Sequence, residues 1–228
     1  MPEALLFAGP SAWGVDDAVF RDAGVRVLPP VRRGDVERLL AASAGPGVLI
    51  VADGVFNVAA AVSHAELCAA IDAGWQVWGV ASIGAIRAHE LRDEGMRGFG
   101  EVFAMFSRFD DFTDDEMCLL HFPEPPYFPV TEPLVNLRHA LARRGPELGI
   151  TGDAAQALIA ALRLLWFGDR TPERIRALMV QPCGIADETV DLLLDWLASN
   201  RLKTLDLRRM MALTPWRAPT APARDRTP

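Results

Sequence analysis

Through its first 95 residues the chain alternates short apolar runs with stretches whose apolar residues recur every three or four positions. Ala4 to Ala8, Val25 to Leu28, Val48 to Ala52 and Val77 to Ala81 are brief unbroken apolar runs and read as strands. Runs without polar alternation belong to strands buried on both faces. Between them, helical patterns cover Asp16 to Ala23, Asp35 to Ala42, Ser63 to Ala73 and Ala85 to Leu91, with Gly24 and Gly74 as stops. Strand–helix alternation with short connections predicts an α/β fold. It is a short parallel sheet of about four strands, ordered 2-1-3-4, with helices on both faces and right-handed crossovers.

In such a sheet ligands bind beyond the carboxyl ends of the strands, near the reversal of strand order. The turns expected at that edge are Gly9-Pro10-Ser11, then Pro29-Pro30 with Arg33-Gly34-Asp35, then Asp53-Gly54-Val55-Phe56, and Ser82-Ile83-Gly84. All are dense in Gly, Pro, Ser or Asp, whereas the turns at the opposite edge are blander. That asymmetry places a site at the carboxyl edge.

The pattern changes after Gly95. Met96 to Phe106 is apolar but broken by glycine, Asp110 to Glu116 is strongly acidic, and Pro123 to Pro129 alternates proline with aromatics. Helical patterns follow at Glu132 to Arg143, Ala154 to Phe167, Pro172 to Met179, Asp187 to Ala198 and Leu202 to Leu213. The expected organisation is an α/β domain over residues 1–95 that carries the site. An all-helical C-terminal extension over 96–213 follows it, then a disordered tail over 214–228, rich in Pro, Ala, Arg and Thr.

Half of the 228 residues are hydrophobic and 23% are charged, which suits a packed core rather than global disorder. A net charge of −7 argues against nucleic acid or anionic lipid as a main partner. No apolar segment approaches the roughly 20 residues needed to span a bilayer. Cys68, Cys118 and Cys183 are odd in number and widely spaced, which fits reduced thiols in a cytoplasmic protein. The one lysine, Lys203, stands among many arginines and reads as a codon bias toward high GC.

Ser82 is the sharpest chemical candidate. Its turn resembles the G-x-S-x-G nucleophile elbow with Val80 in place of the first glycine. At the start of a helix, the amides of Ile83 and Gly84 could form an oxyanion hole. The plainer alternative is that Ser82 caps the helix, which is worth about 1 kcal/mol. His64 opens the third helix and could act as a base oriented by Glu66 or Asp53, or could be a surface histidine at a helix start. Asp53-Gly54 could bring a carboxylate to the site or be a turn. Arg33 and Arg87 are candidates to hold an anionic group, although Arg87 could also pair with Glu90. The acidic run from Asp110 to Glu116 lacks EF-hand spacing and reads as a solvated face or a helix start rather than a metal site. No G-x-G-x-x-G or Walker lysine follows Ser11, so dinucleotide and P-loop readings fail.

The ordered set of turns carries more than any one of them. Gly9-Pro10-Ser11, Pro30 with Arg33-Gly34-Asp35, Asp53-Gly54-Val55-Phe56, His64-x-Glu66, Ser82-x-Gly84-Ala85-x-Arg87-Ala88-x-Glu90-Leu91, Gly95-Met96-x-Gly98-x-Gly100 and Glu132-Pro133-x-Val135-Asn136-x-Arg138 occur in that sequence. Over about residues 9–138 the chain resembles the TfuA-like family. The resemblance implies work beside a YcaO-type enzyme in backbone thioamidation of a ribosomally made peptide or of methyl-coenzyme M reductase. It also implies release of sulfide from a thiocarboxylated ThiS-type sulfur-carrier protein. Ala65 stands where members of that family often carry lysine, so no role of that lysine transfers to this chain.

These residues suit that chemistry. Ser82, His64 and Asp53 are the expected catalytic group, and Ser11, Arg33, Gly54, Gly84 and Arg87 the expected substrate-binding group. Neither a metal nor an organic cofactor is required. A glycine-rich edge lets a flexible carrier tail approach closely. Two other readings compete with a hydrolase. One is a non-catalytic adaptor that docks on the YcaO enzyme and recruits sulfur carrier or precursor peptide through the Phe99–Phe106 and Pro123–Pro129 stretches. The other is a sulfur relay through a persulfide on Cys68.

Overall fold

The computed structural model describes residues 4–55, 59–109 and 112–218. Phe56, Asp110, Asp111 and the tail beyond residue 218 lie outside the described residues. A five-stranded parallel sheet runs in the order β2-β1-β3-β4-β5. Its strands are β1 (Ala4–Phe7), β2 (Val25–Leu28), β3 (Val48–Val51), β4 (Gln76–Val80) and β5 (Arg97–Phe99). Helices α1 (Asp17–Asp22), α2 (Asp35–Ala42), α3 (His64–Asp72) and α4 (Ile83–Glu90) connect them. The expected doubly wound order is present and extended by one strand, because the glycine-broken stretch after Met96 pairs through Gly98 with Gly79 of β4.

The two faces of the sheet have separate cores. Leu5, Phe7, Leu49, Val51 and Val77 pack under α2, α3 and α4 with Val36, Leu67 and Ile83. Ala4, Leu6, Ile50, Trp78 and Val80 face the other way, against Phe20 of α1 and against Leu207, Met210 and Met211. Those last three belong to α10 (Leu202–Leu213), the final long helix of the chain. One face of the sheet is therefore closed by residues that arrive at the far end of the sequence. Among the described residues no helix is long and apolar enough to cross a membrane.

The remaining helices are α5 (Glu101–Arg108), α6 (Leu134–Arg143), α7 (Gly152–Arg163), α8 (Pro172–Val180) and α9 (Asp187–Ser199). Helices α6 to α9 enclose a third core around Leu137, Leu158, Leu162, Met179 and Leu193. Of the two expectations for the acidic run, its described part meets the helix start, with a 3₁₀ turn over Asp114–Met117, and is not wholly a solvated face. Glu116 is buried and receives a bidentate Arg138 (2.9 and 2.7 Å). Asp115 pairs with the fully buried Arg170, whose other donors reach the carbonyls of Leu162, Asp115 and Leu165. A buried guanidinium group needs that many acceptors, and Asp115 of the acidic run supplies two of the four.

Two close approaches lock the sheet to its helices. Gly84 sits so near β3 that an added Cβ would lie 1.7 Å from the Val51 carbonyl oxygen, and one on Gly79 would lie 1.9 Å from the Gly84 oxygen. Farther along, both carboxylate oxygens of Asp206 on α10 accept from the first amides of α5, Glu101 N–H (2.9 Å) and Val102 N–H (2.8 Å). Gly100 beneath them has φ +97° and leaves no room for a Cβ, which would fall 2.4 Å from that carboxyl group.

Gly84→Ala is expected to lower stability by about 3 kcal/mol or more, because backbone rather than a movable side chain is overrun; the urea midpoint measures it. Burial pushes the Asp206 carboxyl up from 3.8 to about 6, against the two amides that favour its charged form. A folded-state value above the unfolded one means the native state binds the extra proton. The contribution of this group to stability is therefore greatest at acid pH and is lost as pH rises through about 6. Asp206→Asn is expected to flatten that fall between pH 4 and 7, read as unfolding midpoints across pH.

Candidate active site

The turn after β1 is held by one carboxylate. Asp53, just past β3, is buried, and its Oδ2 accepts from Gly9 N–H (2.8 Å) and Ser11 N–H (2.9 Å) while Oδ1 accepts from the Ser11 hydroxyl (2.7 Å). The loops after β1 and β3 are thereby fused at the carboxyl edge. The loop after β2 joins them, because Val31 N–H donates to the Asp53 carbonyl (2.9 Å) and Val55 N–H to the Val31 carbonyl (3.0 Å). The expected convergence of these turns is present.

A cavity of about 680 Å³ opens over this edge, and Asp53, Gly54, Ser82 and Lys203 line it together with Phe7 and Met117. Ser11 lies behind Asp53, bound to it.

Ser82 stands where β4 ends and α4 begins, and its backbone is unusual. Ala81 has φ +67° although it carries a Cβ, and Ser82 N–H closes a three-residue turn onto the Val80 carbonyl (2.8 Å). Such a turn is rare and strained, and strain of this kind concentrates at functional sites. The Ser82 side chain makes no capping hydrogen bond to α4, so capping does not explain the serine. Ser82 instead lines the cavity. The proposed oxyanion donors separate here. Gly84 N–H is taken by the Ala52 carbonyl (3.2 Å), and Gly84 serves close packing on β3. Ile83 N–H is then the first unpaired amide of α4 among the described residues.

Lys203, read from composition as an incidental residue, enters the same cavity from the first turn of α10. It is buried, donates from Nζ to the Met117 carbonyl (3.1 Å), and lies 4.0 Å from Asp53 Oδ1. Burial lowers its pKa from 10.5, with Asp53 opposing the shift. Its backbone is fixed too. Lys203 N–H donates to Asn136 Oδ1 (3.2 Å), Asn136 donates to Glu132 (2.6 Å), and Glu132 receives Arg201 at 2.9 and 3.2 Å. The Glu132-Pro133-x-Val135-Asn136 segment therefore acts on the site through Lys203. The one sequence signal for this residue was its singularity, a lone lysine in a helix whose neighbours Leu202, Leu207 and Met210 are all apolar.

His64, Arg33 and Arg87 form no part of the cavity wall. His64 Nε2 lies 2.8 Å from Glu90 Oε2, and Arg87 Nη1 donates to the same oxygen (2.5 Å). Half of the His64 side chain is exposed. Glu66 does not orient it. That carboxylate completes a capping box with Ser63 and also accepts from Gly34 N–H (2.5 Å). Arg87 Nε reaches the Val62 carbonyl (3.2 Å) and Arg33 Nε the Ala61 carbonyl (3.4 Å), so these cations brace the loop before α3. The cations that do line the cavity are Arg32, Arg38 and Lys203. Cys68 is a poor relay, because burial and the charges of Glu94 and Asp72 push its thiol up.

A protein-family model described as TfuA-like protein matches residues 53–171. No curated protein matches the chain.

A buried lysine with a lowered pKa costs stability at neutral pH. Its folded-state value lies below the unfolded 10.5, so native stability should rise as pH climbs toward 10.5. Lys203→Met is expected to remove that rise while leaving a folded protein, as measured by chemical unfolding at pH 7 and pH 9.5.

Proposed function

As the chain belongs to the TfuA-like protein family, we propose that it is a hydrolase that frees sulfide from a thiocarboxylated ThiS-type carrier, for use by a YcaO-type enzyme. Membership of the family supports a role in YcaO-associated thioamidation. The finer reading rests on one observation: Ser82 and Lys203 line the same cavity, beside a carboxylate already committed to holding a loop.

The chemistry runs in two halves. Lys203, whose pKa is lowered by burial, accepts the Ser82 proton as Oγ attacks the carrier's terminal carbonyl carbon. A C–O bond forms, the C–S bond breaks, and the Lys203 ammonium returns its proton to the departing sulfur, which leaves as HS⁻. Water, deprotonated in the same way, then attacks the acyl-serine, which restores the Ser82 hydroxyl and yields the carrier carboxylate. The Ile83 amide and the dipole of α4 oppose the charge that develops on the carbonyl oxygen. Arg32 at the cavity wall offsets the charge of the incoming thiocarboxylate, while Arg38 is paired with Asp35. Asp53 in this scheme positions Ser11, Gly9 and Lys203 rather than taking a proton, and His64 has no step.

The adaptor reading keeps one observation of its own. Phe122 and Phe128 are 58% and 46% exposed, and Phe128 meets Trp13 edge-on at 5.2 Å. An exposed aromatic cluster of this kind suits a protein partner whether or not chemistry follows.

Sulfide release from thiocarboxylated carrier, with no YcaO enzyme present, separates the two. Ser82→Ala and Lys203→Met are each expected to slow release by at least about 10²-fold. His64→Ala should stay within a few-fold of the parent. Unchanged release by Ser82→Ala would remove the acyl-serine step, and no release by the parent protein would leave the adaptor.

A further inference from the structure

We propose that Arg201 and Trp13 are positioning residues for the Lys203 amine. The Arg201 guanidinium, held between the buried Glu132 carboxylate and the Trp13 ring, keeps an anion near Lys203. The consequence for rate rests on Lys203 being the base of the reading above. The effect on the amine itself can be measured without turnover.

Arg201 and Lys203 stand together at the start of α10. Arg201 is the N-cap residue, and Lys203 lies in the first turn. A first-turn amide has no partner within its own helix, and that of Lys203 is met from α6 by Asn136 Oδ1 (3.2 Å). Asn136 donates to Glu132 Oε1 (2.6 Å), and Arg201 Nε donates to both Glu132 oxygens (3.2 and 2.9 Å). One carboxylate is thus tied to the backbone that carries the lysine and to the guanidinium two residues before it. The guanidinium is held on its other sides as well. Its Nη1 donates to the Ala198 carbonyl (2.9 Å), and its central carbon lies 5.2 Å from the centre of the Trp13 ring. Stacking on an aromatic face fixes a guanidinium plane that a carboxylate alone would let swing. Trp13 belongs to the loop after β1, the one that Asp53 holds.

The groups that face the Lys203 amine are Asp53 after β3, Cys118 just past the 3₁₀ turn, and Glu132 before α6. Burial lowers the amine from its ordinary value, and these three oppose it. Cys118, pushed up to about 11 by burial, is a neutral thiol below that pH. Burial also pushes the Glu132 carboxyl up, and the Arg201 charge is foremost among the influences that hold it down. Without Arg201, Glu132 takes up a proton more readily. Lys203 then loses an anion that favours its charged form, and the amine gives up its proton at lower pH. A pair that only joined α6 to α10 would leave that titration where it was.

Lys203 is the single lysine of the chain, so lysine labelled with carbon-13 at Cε gives one side-chain NMR resonance. Its shift against pH titrates the amine in the full protein. Arg201→Gln and Glu132→Gln are each expected to move that titration down by at least about half a pH unit. Trp13→Leu should move it the same way, and Trp13→Phe should keep the parental curve. In the Arg201→Gln background Trp13→Leu should add nothing, because the ring acts only through the guanidinium. In sulfide release, the rise of rate with pH should shift down by the same interval in each variant. Arg201 and Trp13 are both partly exposed, so their replacement spares the core even if Glu132→Gln proves too unstable to titrate. An unmoved or upward-shifted lysine titration in Arg201→Gln would overturn the proposal, as would a further shift on adding Trp13→Leu. If the parent protein releases no sulfide, the hydrolase reading fails while the titration still decides this one.

Discussion

The carboxylate of Asp53 is the point on which the carboxyl edge of this sheet depends. Three donors from the loop after β1 converge on it, and the ammonium group of α10 stands 4.0 Å away. A buried anion is tolerated only when its lone pairs are met, and here the donors come from two distant parts of the chain. Satisfying one charge thus ties the first loop, the third strand and the last helix into one wall of a cavity.

The same logic recurs through the molecule. Glu132 is satisfied by Arg201 and Asn136, Glu116 by Arg138, and Asp206 by the amides that open α5. Each joins segments far apart in sequence. The apolar cores fill the space between elements, while these paired groups decide which segment meets which. Apolar burial alone lacks that directionality.

The α/β architecture was legible because its signals are local. Brief apolar runs, capping residues and glycine stops each lie within a few positions of one another, and they placed four strands and nine of the ten helices among the described residues. β5 escaped because it is three residues long with Gly98 at its centre, so neither an apolar run nor an alternation marks it. The site was only half legible. Ser82, Asp53 and Gly54 stand in turns whose edge follows from topology, and they do meet at one cavity. Lys203 meets them only through tertiary packing of α10, which no local pattern encodes. His64 shows the converse limit: its capping box placed the start of α3, but the direction of the ring depends on Glu90 of a different helix.

The position of Lys203 on the helix that closes the sheet also sets an order of events. A ribosome finishes the strands and the Ser82 turn long before α10 emerges. Until then one sheet face lacks Leu207, Met210 and Met211, and the cavity lacks its amine. The nascent chain holds Ser82 before Lys203 is there to line the same cavity. Both that core and the complete set of cavity groups come into being together, once α10 has emerged.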